Sequence, residues 1–399
     1  MGIRVKLVEK REDSLARILR VETHRASFTT PNYAVSLNVV DNIYLTSEHF
    51  KGITEMPFEI RLDKADRIIE SSELRERKAS YFKYLLNKAP DDQVVVVIPI
   101  LSRGKLNIEQ LEESKLREYI QQFVEILAAP RVDIVCTPVF QRLPEKTYVK
   151  IIEEFVEHIS LLNVIVAPSI PYASRATLSE LTRLYERVAS KASNFTVNFL
   201  CADYNGSNPI SKYSFHNYIL ALSKSMERNR GEPVVLYGVN VKYSKVATKY
   251  PELPARDLAS YFIGVDLVGS NHKRPIIPRQ AIEVLKPGVK PKLLIREDYT
   301  YVDTERALQR REDPLILKIA ELVKMDIKKS SVVAKKYNAR EILMEAEYLR
   351  ERVFKSTSDI HPLSYLMSKK AVNIDERMKS IVHEVTQRFT KIRLLKDYA

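Results

Sequence analysis

Between Gly264 and Pro275 the chain gathers a carboxylate, an imidazole and two cations, namely Asp266, His272, Lys273 and Arg274. Asp266 stands in an apolar run, where a lone ionised carboxylate is strongly disfavoured and needs either a partner or a ligand. Two roles are open to it: catalysis, with His272 as acid–base companion, or a salt bridge to a neighbouring strand. A second cluster, Asp203-Tyr204-Asn205-Gly206, follows the apolar run Phe195 to Ala202. It offers a carboxylate beside a ring on which a flat substrate could stack. The same residues also suit an Asx turn closed by Asn205-Gly206. Arg103, Asn240, Lys242 and Arg296 add substrate-binding candidates, the cations being suited to a phosphate.

These groups can meet only if the chain delivers them to one end of a sheet. Apolar, β-branched runs recur at Tyr33 to Val40, Val94 to Leu101, Val132 to Phe140, Asn163 to Ile170, Phe195 to Asp203, Pro233 to Val241, Tyr261 to Val268 and Lys292 to Ile295. Their near-continuous hydrophobicity is that of strands covered on both faces. Between them lie amphipathic helical segments such as Glu109 to Leu127, Lys146 to Leu161, Leu178 to Val188 and Ser214 to Met226. Alternating strands and helices imply right-handed crossovers and a parallel sheet, and the number of repeats predicts an α/β, TIM-like (β/α)8 barrel over residues 1–311. In such a barrel the reacting groups sit at the C-terminal ends of strands, which is where this reading places both clusters. An open doubly wound sheet is the competitor, but no glycine-rich phosphate turn follows an early strand. Lys64 to Lys88 reads as a helix longer than a barrel needs. From Pro314 onward the pattern is helical, so residues 312–399 are expected to form a basic, mostly helical C-terminal extension.

Of the 399 residues, 45% are hydrophobic and 29% charged, which excludes a disordered chain. The net charge of +13 points to polyanionic partners. From Pro314 to the end there are 18 Lys and Arg against 11 Asp and Glu. Lys328, Lys329, Lys335, Lys336 and Arg340, together with Lys273 and Arg274, could track the phosphates of a nucleic acid. The alternative for the tail is a solvated helical face laced with i,i+4 pairs. Abundant Lys, Arg and Glu with only nine Gly also resembles thermophile usage. Cys136 and Cys201 sit in apolar runs without ligand-spaced partners and the histidines are scattered, so neither a metal nor a cofactor is expected. No apolar stretch has signal-peptide or membrane-spanning length. A cytoplasmic protein with no membrane partner is therefore expected, and a homo-oligomer is compatible with the composition.

The stretch Val234 to Pro275, VVLYGVNVKYSKVATKYPELPARDLASYFIGVDLVGSNHKRP, resembles the strand-six to strand-seven region of the tRNA-guanine transglycosylases. That family reads PRYLMGVG, a helix, then GVDMFDCV. Arg25-Ala26-Ser27-Phe28-Thr29-Thr30-Pro31 is similar to the family's opening before its first strand. The resemblance implies a (β/α)8 barrel that exchanges guanine for a deazaguanine base in nucleic acid through an aspartate nucleophile. It also marks departures. The family's nucleophile falls on Gly269, Asp266 matches only the preceding aspartate, and the family's glycine-rich substrate motif and zinc site have no counterpart. The expectation is a glycosyltransferase of base-exchange type that binds RNA or DNA and acts on a purine or 7-deazapurine, with Asp203 and Asp266 as its carboxylates. Its rivals are a noncatalytic nucleic-acid-associated or assembly protein that keeps the barrel without the nucleophile, and a barrel enzyme on a small phosphorylated metabolite.

Overall fold

A computed structural model describes residues 2–37, 52–102, 113–127, 129–141, 144–243, 251–272 and 290–397. Arg103, Lys273 and Arg274 lie outside them. The chain opens with an antiparallel sheet of β1 (Arg4–Lys10), β2 (Arg17–Glu22) and β3 (Ser27–Thr29). The main sheet follows: β4 (Asn32–Ser36), β5 (Ile53–Arg61), β6 (Val94–Ser102), β7 (Ile134–Cys136), β8 (Val139–Gln141), β9 (Ile165–Ala167), β10 (Ser169–Pro171), β11 (Phe199–Ser207), β12 (Val235–Val241) and β14 (Leu267–Gly269). A second antiparallel sheet joins β13 (Glu252–Pro254), β15 (Leu293–Ile295) and β16 (Thr300–Val302) in the order β13-β16-β15.

All pairings in the main sheet are parallel, in the order β10-β11-β12-β14-β4-β5-β6-β7-β9, with β8 also on β6. The segments β9 and β10 are consecutive in the chain, separated only by Pro168, so the two ends of this order meet. The result is a nearly closed parallel barrel sheet, compatible with a TIM-like barrel. Side-chain alternation sorts the core accordingly. Val94, Val96, Ile98, Phe199, Cys201, Val235, Tyr237 and Leu267 form one buried cluster with Leu19, Val21 and Phe28 of the opening sheet. That cluster fills the barrel, and β2 and β3 contribute to it from the end at which the strands begin. Val95, Val97, Leu200, Ala202 and Leu236 join the helices, among them 113–127, 145–159, 175–189 and 213–230, in an outer layer.

Two elements differ from the sequence reading. Ile53–Arg61 is a full barrel strand, hidden in the sequence by Pro57 and by Glu55, Glu59 and Arg61. Proline is unfavourable in a central strand, but the pairing with β4 runs through Thr54 and Glu55 only, short of Pro57. Conversely, Leu293–Ile295 is antiparallel to β16 rather than an eighth barrel strand. The strand expected at Tyr261 to Val268 begins only at Leu267, because Ser260–Ile263 closes into a 3-10 turn ended by Gly264 at φ +95°.

Helix Ile327–Tyr348 covers the outer face of β4, with Ala339 and Leu343 against Val35. Leu349, Phe354, Leu363, Val372, Met378 and Val385 join the same outer-layer core as the barrel wall. Arg256 Nε and Nη2 bind Asp375 at 2.6 and 2.9 Å, fastening the last helices to the barrel. Residue 311 thus marks a change of element type, while the core runs on past it.

Candidate functional site

Glu55 opposes Ser36, the last residue of β4, so it lies level with the strand's C-terminal end. Its buried carboxylate accepts the Tyr237 hydroxyl of β12 and, at 2.5 Å, the Ser270 N–H just past β14. Its Oε1 lies 2.8 Å from His272 Nε2. The backbone N–H of His272 donates to Asn240 Oδ1 at 3.1 Å, and Asn240 Nδ2 donates to Asp203 Oδ1 at 3.0 Å. A continuous line of bonds, Asp203–Asn240–His272–Glu55, thereby crosses the barrel mouth between β11 and β5. Beside it, the Tyr33 hydroxyl meets Ser270 Oγ at 2.7 Å.

Local sequence explains why these groups converge. At Gly269, which ends β14, a Cβ would fall on the Glu55 carboxylate and 2.7 Å from the Tyr237 hydroxyl. The missing side chain is what lets both groups fill that space. Asn240, fully buried, and Asn205 hold left-handed backbone at φ 53° and 54°. That conformation is uncommon outside glycine, is best tolerated by asparagine and aspartate, and clusters at functional sites. Burial and the Glu55 charge push the Tyr237 hydroxyl far above its ordinary pKa, so it stays protonated and donates. Tyr33 is raised by the same two causes.

Of the residues predicted from sequence, the structure brings Asp203, Asn240 and His272 together, with Asn205 adjacent. The Asn205 N–H closes the expected Asx turn onto Asp203 Oδ1 at 2.9 Å. Lys242 follows β12 at the rim, and burial lowers its ammonium pKa. Glu55, Tyr237 and Tyr33 were not anticipated. The available signal was Glu55 itself, a carboxylate between the apolar residues Ile53 and Met56.

Asp266 belongs to the opposite end of the barrel. It precedes β14 and binds Arg17 of β2 through 2.8 Å (Nε–Oδ1) and 2.7 Å (Nη2–Oδ2) contacts, and it accepts Leu236 N–H at 2.7 Å. This is the barrel-glue alternative, and it removes Asp266 from the mouth. Asp266→Asn is accordingly expected to lower stability by about 1–3 kcal/mol, since it breaks the bidentate pair while Arg17 keeps Glu227 as a partner. Chemical denaturation checks this. Unchanged stability would show that the pair with Arg17 does not hold the barrel together.

Tyr204 also departs from its expected role. It is buried in the outer layer, its hydroxyl 2.8 Å from His216 Nδ1, and offers no stacking surface. Arg296 follows β15 and sits 3.7 Å from Glu341, away from the mouth. Lys336 is buried, and Arg340 is engaged with Asp313 and Glu341, whereas Lys328, Lys329 and Lys335 are exposed. Among the described residues no group of three or more His, Cys, Asp or Glu could hold a metal ion, and no helix is long and apolar enough to cross a membrane. No protein-family model and no curated protein matches the chain.

Proposed function

We propose that the mouth exchanges a purine or 7-deazapurine base at its glycosidic bond in RNA or DNA, in a TIM-like barrel diverged from the tRNA-guanine transglycosylases. What carries the reading is the pair of buried carboxylates, Glu55 and Asp203, joined through His272 and Asn240 at the strand ends. Glu55 also occupies the space left by Gly269, where the resembled family keeps its nucleophile. Base exchange needs a carboxylate to meet developing charge at the anomeric carbon and a second group to manage the proton of the base.

In this scheme Asp203 attacks C1′ as the base C–N bond breaks, giving a glycosyl ester. With His272 Nε2 held by Glu55, the imidazolium donates from Nδ1 to the departing base. The incoming base then attacks C1′, the ester C–O bond breaks, and the proton of that base returns to His272. Glu55 fixes the orientation of the ring, as a carboxylate behind a catalytic imidazole does. The exposed Lys328, Lys329 and Lys335 supply phosphate contacts on a strand whose base has left the stack.

Incorporation of labelled guanine or 7-deazaguanine into RNA and DNA tests the scheme. Asp203→Asn, His272→Gln and Glu55→Gln should each lower the rate about 10²- to 10⁴-fold, and pairs should lose little more than singles because the groups act as one unit. A wild-type protein that binds nucleic acid without exchange would favour the noncatalytic barrel.

A further inference from the structure

Next to the carboxylate line the rim carries residues that the exchange chemistry does not use. Tyr172 directly follows β10, whose last residue, Pro171, is in register with Asp203. Its ring therefore stands at the C-terminal rim on the outer side of the barrel wall, against Phe215 of helix 213–230, one strand from the segment that carries Asp203. The residue is 48% exposed, whereas neighbouring Tyr204 is fully buried. Phe215 meets the ring edge-to-face at 5.5 Å, and the Lys212 ammonium lies 3.8 Å from its centroid. The ring is thus held in place while nearly half of the residue remains open to solvent.

Asn208 ties the backbone of a second lysine, Lys242, to this segment. Its buried side chain donates to the Lys242 carbonyl at 2.9 Å and accepts Ser211 N–H at 2.8 Å, and its own carbonyl accepts Lys212 N–H at 3.0 Å. The Lys242 N–H in turn donates to the Ser207 carbonyl at 2.6 Å. Two lysine-bearing segments from β11 and β12 are therefore bolted to one asparagine. Among the described residues neither Lys212 nor Lys242 has a carboxylate at ion-pair distance, whereas the nearby Arg256 is paired with Asp375. A half-buried cation without a counter-charge favours an anionic ligand.

We infer that Tyr172, Lys212 and Lys242 form a nucleotide subsite on the barrel rim, Tyr172 stacking a base and the two ammonium groups holding its phosphate. The subsite rests on the base-exchange reading in one respect: it would hold the nucleotide beside the reacting one. A flat ring joined to an anion matches the surface, because aromatic side chains take bases by their π-faces without regard to sequence and lysines take phosphates as point charges. A free mononucleotide and a nucleotide within a strand share this chemistry.

Fluorescence anisotropy with a short labelled single strand, competed by guanosine monophosphate, tests it. Tyr172→Ala should weaken strand binding about tenfold, and Tyr172→Phe should keep it, as stacking on a ring requires. Lys212→Gln and Lys242→Gln should each flatten the salt dependence of log Kd by about 0.7, the contribution of one single-strand phosphate contact. Competition by the mononucleotide that disappears in Tyr172→Ala would identify a free nucleotide as a ligand of the same subsite. Wild-type affinity and salt slope in Tyr172→Ala and both lysine variants overturn the subsite; if Glu55→Gln still abolishes exchange, the base-exchange reading survives that outcome. A wild-type protein that binds neither strand nor mononucleotide overturns both.

Discussion

Gly269→Ala is expected to abolish base exchange and to lower stability by about 1–3 kcal/mol, the usual cost of forcing a methyl group into filled space. The added Cβ would land on the Glu55 carboxylate and within 2.7 Å of the Tyr237 hydroxyl. Glu55 cannot retreat cheaply, since it is buried and held by Tyr237, Ser270 and His272. Moving it breaks three bonds and frees the imidazole. Glu55→Ala combined with Gly269→Ala removes the closest of the clashes and leaves the one with the Tyr237 ring, so the double variant should regain part of the stability lost by Gly269→Ala while remaining inactive, a coupling expected of residues in contact. Glu55→Ala with Gly269→Asp would instead return a carboxylate to the same space from β14, and partial recovery of exchange is expected. Denaturation curves and the labelled-base assay read both arms. A stable, fully active Gly269→Ala protein would show that the Glu55 position does not matter to the chemistry.

The barrel was legible because most of its strands are buried on both faces and so read as continuous apolar runs, as in Val94–Ser102 and Val235–Val241. Ile53–Arg61 was not legible, because its buried carboxylate and its proline spoil that pattern. With one strand missed, Lys292 to Ile295 filled the vacancy in the count, and Arg296 was carried to a mouth it does not approach. The Asp266 error has a related cause. A buried aspartate in an apolar run signals a partner, but the sequence does not say whether it stands before or after the strand. Only Gly264 and the 3-10 turn ahead of it set the start at Leu267, leaving Asp266 for Arg17. Asp203, Asn240 and His272 were recoverable because the C-terminal end of each one's strand was read to within a few residues, although the strand before His272 starts later than expected. Their connection through Glu55 depends on a contact between residues 217 positions apart in the chain, from Glu55 to His272, which no local pattern encodes.

His216 and Asp257 should give the fold two opposed pH dependences that nearly cancel in the wild type. His216 is buried between the Tyr204 hydroxyl and the Ile263 carbonyl, each 2.8 Å from a ring nitrogen, and burial lowers its pKa from 6.5 to about 4. Below pH 6.5 the unfolded chain takes up a proton that the folded ring refuses, so this group's contribution to stability falls on acidification and levels off near pH 4. Asp257 is buried against the Tyr301 hydroxyl at 2.7 Å, and burial raises its pKa from 3.8 to about 6. Here the unfolded chain loses its proton first, so the contribution falls as pH rises from 3.8 to 6. Each shift corresponds to about 3 kcal/mol, and the two windows overlap with opposite sign. His216→Gln should therefore gain on the wild type by about that amount as pH falls from 6.5 to 4, whereas Asp257→Asn should gain as pH rises from 3.8 to 6. Differences between variant and wild type isolate the two groups from the many carboxylates whose pKa values ion pairs lower, Glu252 and Asp13 among them. Urea denaturation at closely spaced pH values measures both differences. Parallel curves for either variant and the wild type across its window would mean that the group titrates alike in the folded and unfolded chains, and that its burial carries no electrostatic cost.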